Sequence, residues 1–170
     1  MTVKLYDQNS RQTQTTAKVV ACEPVEGGFE VLLDQTVLFP EGGGQPSDTG
    51  WIDTARVLSC REERGDVFHK VDRALTVGET VSVRLDWARR FDFMQQHTGE
   101  HLLSFAFYKF FKAANIGFHL ALDYATIDFD KPLSREQIAE AELLANSYVW
   151  RNLPVTATFY ASEEEVQELP

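Results

Sequence analysis

Val81-Ser82-Val83-Arg84-Leu85-Asp86-Trp87-Ala88-Arg89-Arg90 is where this chain changes character. Up to Leu85 apolar and polar residues alternate, the period of a half-buried strand. From Trp87 to Ala114 there is no proline and a single glycine, Gly99, while Asp86 suits the cap of a helix N-terminus. The boundary predicts strands before it and a long helix after it. The expected fold class is therefore α+β, with one domain over residues 1–86 and a second over 87–170.

Working back from the boundary, residues 19–22, 29–33, 37–39, 55–58, 67–71 and 81–85 are rich in side chains that suit a pleated surface. Gly27-Gly28, Gly65-Asp66 and Gly78 mark turns between them, which predicts a small antiparallel β-barrel. Working forward, Phe91, Phe93, Phe105, Phe107, Tyr108, Phe110 and Phe111 are too many for one narrow stripe. They predict a helix buried on more than one side, packed on a sheet and against the barrel. Asn115-Ile116-Gly117 is expected to end it, with strands at 118–122 and 125–129 following. Ser134-Arg135-Glu136-Gln137 matches a capping box and opens a second helix whose apolar positions are Ile138, Ala141, Ala145, Tyr148 and Val149. A further strand is expected at 155–160 and a second capping box at 162–165, barely two turns before Pro170.

With 170 residues and 44% hydrophobic content the chain can bury one generous core or two small ones. No run approaches the roughly 18 apolar residues of a membrane helix, and the start resembles no signal peptide, so the expectation is a cytoplasmic protein with no membrane partner. Cys22 and Cys60 read as buried small hydrophobes. A net charge of −10 argues against a broad nucleic-acid surface, because phosphate binding draws on Lys and Arg. Any RNA contact must be local, with Arg84, Arg89, Arg90, Lys109 and Lys112 as candidates, although a solvated helix face explains them equally well.

Two motifs carry chemistry. His97-Thr98-Gly99-Glu100-His101 puts two imidazoles four apart on one helix, where Cβ atoms lie roughly 5–6 Å apart and both rings can reach one ion. Zinc is the default guess for such a pair. The plainer reading is two unrelated helical histidines, because a complete site needs a third and usually a fourth ligand. Gly99 costs about 1 kcal/mol against alanine in a helix, which suggests that a substrate or a packed helix approaches there. In Pro40-Glu41-Gly42-Gly43-Gly44-Gln45-Pro46 three glycines free the backbone for positive φ and bare its N–H groups, either for a ligand or simply for a hairpin turn. The Gly-Lys-Ser/Thr ending of a P-loop is missing, which argues against nucleotide phosphate binding.

Taken in order, residues 39–50, then Asp86-Trp87-Ala88-Arg89-Arg90, Met94-Gln95-Gln96, residues 97–103, Gly117-Phe118-His119-Leu120 and Thr126-Ile127-Asp128-Phe129 closely resemble one family. It is the alanyl-tRNA synthetase editing domain with its free-standing AlaX-type trans-editing relatives. The resemblance covers nearly the whole chain and implies a glycine-motif barrel on an α/β domain, with a zinc site facing the barrel. It also implies hydrolysis of the ester between tRNA for alanine and a wrongly attached serine or glycine, with mischarged tRNA as partner and Zn2+ as cofactor.

By that resemblance His97 and His101 are metal ligands, and the other two ligands would come from a C-x-x-x-H motif. No Cys follows Cys60 and no His follows His119 in this sequence. Two explanations stand: the ligands lie beyond Pro170, favoured by the abrupt stop, or this member has lost them. Zinc could polarise the ester, generate hydroxide or hold substrate. Glu100 could orient a ligand or a water, His119 is a candidate beside the metal, and Gly42, Gly43, Gly44 and Gln45 could border the substrate pocket. Two rival readings are a noncatalytic tRNA- or partner-binding module with an incomplete metal site, and a zinc peptidase with an inverted H-x-x-E-H motif. Oligomeric state is not readable, although Leu143, Leu144 and Trp150 fit either a dimer surface or the core.

Overall fold

The computed structural model describes residues 1–121, 123–156, 158, 160, 162 and 164. Its first part runs β1 (Val3–Lys4), α1 (Leu5–Gln8), β2 (Gln14–Val25), β3 (Gly28–Leu33) and β4 (Gln35–Thr36). Then come β5 (Gly50–Ile52), β6 (Ala55–Glu63), β7 (Asp66–Val71) and β8 (Thr80–Leu85). The second part is α2 (Trp87–Phe111), the hairpin β9 (Asn115–Leu120) and β10 (Ala125–Phe129), and α3 (Arg135–Trp150). This is the expected α+β architecture. None of these helices is long and apolar enough to cross a membrane.

Six strands close into a barrel in the order β2-β3-β7-β6-β5-β8, all neighbours antiparallel. Alternation drives it: in β8 Val81, Val83 and Leu85 point inward and Thr80, Ser82 and Arg84 outward, and in β7 Val67, His69 and Val71 point inward. The core is mostly β-branched, with Val19, Val31, Val57 and Ile52 added from the other strands. His69 sits fully buried among them. Its Nδ1–H donates to the Val31 carbonyl at 3.2 Å and its Nε2 accepts from Thr36 Oγ1 at 2.9 Å. Burial drives its pKa down to about 4, so the ring is neutral at physiological pH.

Several expectations are corrected. Residues 37–39 form no strand, although Val37 and Leu38 are fully buried. Their main-chain groups are satisfied by side chains instead: Leu38 N donates to Thr36 Oγ1, Phe39 N to Asp48 Oδ2, and Val37 O accepts from Arg90. The short strand β5, which was not expected, pairs between β6 and β8. Gly50 begins it because an added Cβ would lie 2.2 Å from the Arg84 carbonyl of β8. Helix α2 ends at Phe111, earlier than expected, with Lys112 in the left-handed conformation (φ 53°) donating its N–H to Tyr108 O. Asn115, Ile116 and Gly117 therefore pair in β9 rather than ending the helix.

Helix α2 is buried on two sides only. The barrel side takes Arg90 and Phe93, and α3 with the hairpin covers Ala106 and Phe107, whose ring meets Phe129 at 4.5 Å. Phe91, Phe105, Tyr108 and Phe110 remain exposed, because no described element covers the third side. Helix α3 opens with the expected capping box at Ser134 and Gln137 and buries Ala141 and Ala145. Leu143 and Trp150 lie exposed and Leu144 packs at the edge of the core. Residues 155, 156, 158 and 160 are not in a strand, and the rest of the expected segment 155–160 lies outside the described residues. So do Leu122 and residues 163 and 165 of the expected second capping box at 162–165.

A buried ion pair joins the two halves. Arg90, from the first turns of α2, and Asp48, at the base of the glycine segment, are both buried and in direct contact. The guanidinium also donates to Ser10 O at 2.9 Å and Val37 O at 2.7 Å, so every charge-bearing face meets a partner. Arg90 thus serves the fold and is corrected as a candidate RNA contact.

Candidate functional site

The glycine segment is a tight hairpin turn with a second task. Gly42 and Gln45 exchange main-chain hydrogen bonds at 3.1 and 3.0 Å, and the two central residues, Gly43 and Gly44, take φ of 59° and 77°. Positive φ at both centres is the signature of a type I′ turn and accounts for the glycines there. The turn does not end in solvent. A Cβ at Gly44 would meet Phe118 Cδ1 at 2.8 Å and Phe118 O at 2.9 Å, and Gly44 O accepts from Leu120 N at 3.3 Å. Gly43 faces His97, with 3.6 Å between its absent Cβ and Cε1 of the ring.

The base of the segment is sewn to the barrel. Ser47 Oγ accepts from Cys60 N at 3.1 Å, Glu41 N donates to Cys60 O at 3.2 Å, and Asp48 is held by Arg90. These ties carry Gln45, itself buried, to α2, where its Oε1 lies 3.0 Å from Nδ1 of His97.

One turn along the helix, the exposed ring of His101 lies 4.8 Å from that of His97 between centroids. Its Nδ1 lies 3.0 Å from Oε2 of Glu100. The Glu100 carboxylate is buried and fixed from its other oxygen by Ser104 Oγ and by Asn115 Nδ2, the latter at 2.6 Å. Both imidazoles therefore have Nδ1 committed to an oxygen acceptor. That leaves each Nε2 with its lone pair, the state a metal ligand needs. Burial and the adjacent His101 push the pKa of His97 below its ordinary value against the opposing pull of Glu100, which keeps the ring neutral. One potential ligand atom from each of His97, Glu100 and His101 lies within 4.8 Å of the others, the one such group among the described residues.

Of the residues singled out from the sequence, Gly43, Gly44, Gln45, His97, Glu100 and His101 come together here. Gly42 forms the foot of the turn. His119 is exposed on β9, paired with Thr126, on the strand face opposite Phe118, whose ring is 5.5 Å from that of His97. Asn115, Ser104 and Phe118 escaped the sequence reading. Ser104, one turn after Glu100, could have been found from helical spacing; Asn115 and Phe118 depend on how the hairpin docks.

A family model described as class II (A) tRNA synthetases matches residues 3–89. The alanyl-tRNA editing protein AlaX-M of Methanosarcina barkeri is 34% identical over 180 residues, covering 99% of this chain and 72% of that protein. The chain belongs to the alanyl-tRNA editing proteins. Within this family, AlaX-L of Pyrococcus horikoshii is 34% identical over all of this chain and 42% of its own length. The editing protein Aarsd1 of Mus musculus is 36% identical over 89% of this chain and 40% of its own length. The chain thus spans well under half of these two longer family members.

Proposed function

We propose that this chain is the metal-binding, barrel-bearing part of a hydrolase that removes a wrongly attached amino acid from tRNA for alanine. The observation that carries the reading is the matched tethering of two imidazoles, His97 by Gln45 and His101 by Glu100, beside a glycine turn in a chain similar to named alanyl-tRNA editing proteins. In the reaction water adds to the ester carbonyl and the acyl C–O bond breaks. A free amino acid and a ribose hydroxyl result.

His97 and His101 would hold a divalent cation, with Zn2+ favoured by the all-imidazole donor pair. Such an ion supplies Lewis acidity and a nucleophilic water near neutral pH. Glu100 acts through His101: bonded to Ser104, Asn115 and the ring, its carboxylate orients the ligand and raises its basicity. The same bonds weigh against an inverted zinc peptidase, whose glutamate must be free to serve as a general base. Gln45 orients His97 in the same way, through a neutral amide oxygen in place of a carboxylate. The N–H groups of Gly43 and Gly44 have no intramolecular partner among the described residues, and Gly43 lies against the His97 ring, so that a substrate oxygen held there could accept from the turn. Cytoplasmic location and a two-domain division at residue 86 are part of the same reading.

The test combines metal analysis with deacylation of seryl-tRNA for alanine. His97→Ala with His101→Ala is expected to keep its circular dichroism, lose bound zinc and release serine at least 100-fold more slowly. Unchanged zinc content in that double variant refutes the ligand assignment. Tight tRNA binding without zinc or hydrolysis in the unaltered chain supports the noncatalytic module instead.

A further inference from the structure

Away from the histidines, the barrel wall carries a row of side chains that the hydrolytic site does not use. Trp51 is the central residue of β5, and its two flanking residues point into the core while it points out. Directly across the sheet its partners are Arg84 on β8 and Arg56 on β6, both exposed. A large ring half in water between two guanidinium groups is an unusual use of a barrel surface. Cross-strand neighbours on one face have Cβ atoms about 4.5–5.5 Å apart, so the three side chains form one continuous strip. Neither guanidinium has a hydrogen bond or an ion pair among the described residues, a freedom shared with Arg11, Arg64 and Arg135, but only Arg56 and Arg84 flank an exposed tryptophan across a sheet. The carboxylates around them are committed elsewhere: Asp72 accepts from Arg56 N and from the Arg73 guanidinium, Asp53 from Ser82 N and Asp86 from Arg89 N.

Trp51 also stands as a ridge between two surface hollows of about 600 and 360 Å³, and Arg84 lines both. The second hollow reaches Trp87, whose indole stacks on Phe91 with ring centroids 5.4 Å apart. From there, Trp87, Phe91, Met94, Thr98 and His101 follow at spacings of four and three, one face of α2. None of the five is buried and none is acidic. At 1.5 Å rise per residue the track from Trp87 to His101 is about 21 Å long.

We infer that Trp51, Arg56 and Arg84 form an RNA-binding wall on which an unpaired base stacks between backbone phosphates, and from which α2 leads the strand toward His101. The chemistry favours RNA over an acidic peptide because an exposed indole flanked by cations matches alternating π-faces and phosphates. In a chain of net charge −10 the affinity must come from such a confined patch. The inference rests on the hydrolase reading for its direction toward His101, but the wall itself binds RNA whether or not the chain hydrolyses esters.

The experiment titrates the chain with an unacylated transcript of tRNA for alanine over a range of salt. Trp51→Ala is expected to weaken binding about tenfold and Trp51→Phe to restore most of it. Arg56→Gln with Arg84→Gln should lower the slope of log affinity against log salt by about two, one for each arginine. Circular dichroism shows whether these surface variants keep the fold. Unchanged binding in all folded variants, no binding by the unaltered chain, or equal displacement of the RNA by polyglutamate overturns the inference. Serine release from seryl-tRNA by the unaltered chain is scored in parallel. Release with unchanged variant binding sinks the wall and spares the hydrolase; no release with the predicted losses does the opposite.

Discussion

In the barrel every strand has two bonded neighbours, and Val31, Val57, Val67, Val71 and Val83 have no exposed surface. In the half built from α2, α3 and the β9–β10 hairpin, Phe105, Tyr108, Ile116, Leu143 and Trp150 are 44, 56, 68, 68 and 79% exposed. One region satisfies itself; the other borrows its order. What it borrows from is the seam, where Arg90 grips Asp48, Gly44 meets β9 and Gln45 holds His97. The candidate site lies on that seam, so its geometry depends on the contacts that attach the less self-sufficient half to the more self-sufficient one.

Breaking the seam is expected to have the largest effect. Arg90→Ala leaves Asp48 buried without its counter-charge and should cost about 3–5 kcal/mol. In urea, the helical far-UV signal should be lost before the strand signal, and Arg90→Met combined with Asp48→Leu should recover only part of the loss, because it removes the stranded charge but leaves Phe39 N and Val37 O without their partners. A single coincident transition at the original midpoint would show that the halves do not depend on this pair.

Acid attacks the other side of the comparison, the barrel. Above pH 6.5 His69 is neutral whether folded or not. Between that pH and about 4 the unfolded chain takes up a proton that the buried ring refuses, so stability falls as pH falls. The cumulative loss by pH 4 is about 3 kcal/mol. Urea midpoints measured across this window should decline accordingly, and His69→Gln should remove that part of the slope.

Two glycines sharpen the contrast at smaller scale. Gly44→Ala sets positive φ and two sub-3 Å approaches to Phe118 against the seam, and should cost about 2 kcal/mol together with hydrolytic activity. Gly99→Ala meets nothing within 4 Å and sits inside a helix, so it should stabilise by about 0.5–1 kcal/mol in thermal melts.

These differences explain what was legible in advance. Alternation in Val81–Leu85, the Asp86 cap and the Ser134 capping box are local signals, and local structure obeyed them. Residues 37–39 misled because burial and pairing separated: they are apolar as the barrel core is, yet their amides are bonded to side chains. Arg90 looked like a surface cation because its partner lies 42 positions away. Of the two occupants expected beside Gly99, the packed helix is not there, since no atom lies within 4 Å of its absent Cβ. His97 and His101 could be picked out from their spacing and family resemblance, whereas the oxygen that faces each Nδ1 could be known only once the glycine turn and Glu100 had been placed in space.

The closed ring of strands has one more consequence. A barrel with no first or last strand exposes no row of unpaired amides to a neighbouring molecule, so sheet-to-sheet aggregation has no template there. Among the described residues open edges remain on the two-residue β1–β4 pair and on the longer β9–β10 hairpin, where Leu120 N is bonded to the carbonyl of Gly44. The glycine turn that shapes the candidate site thus also occupies one amide of an otherwise open strand edge.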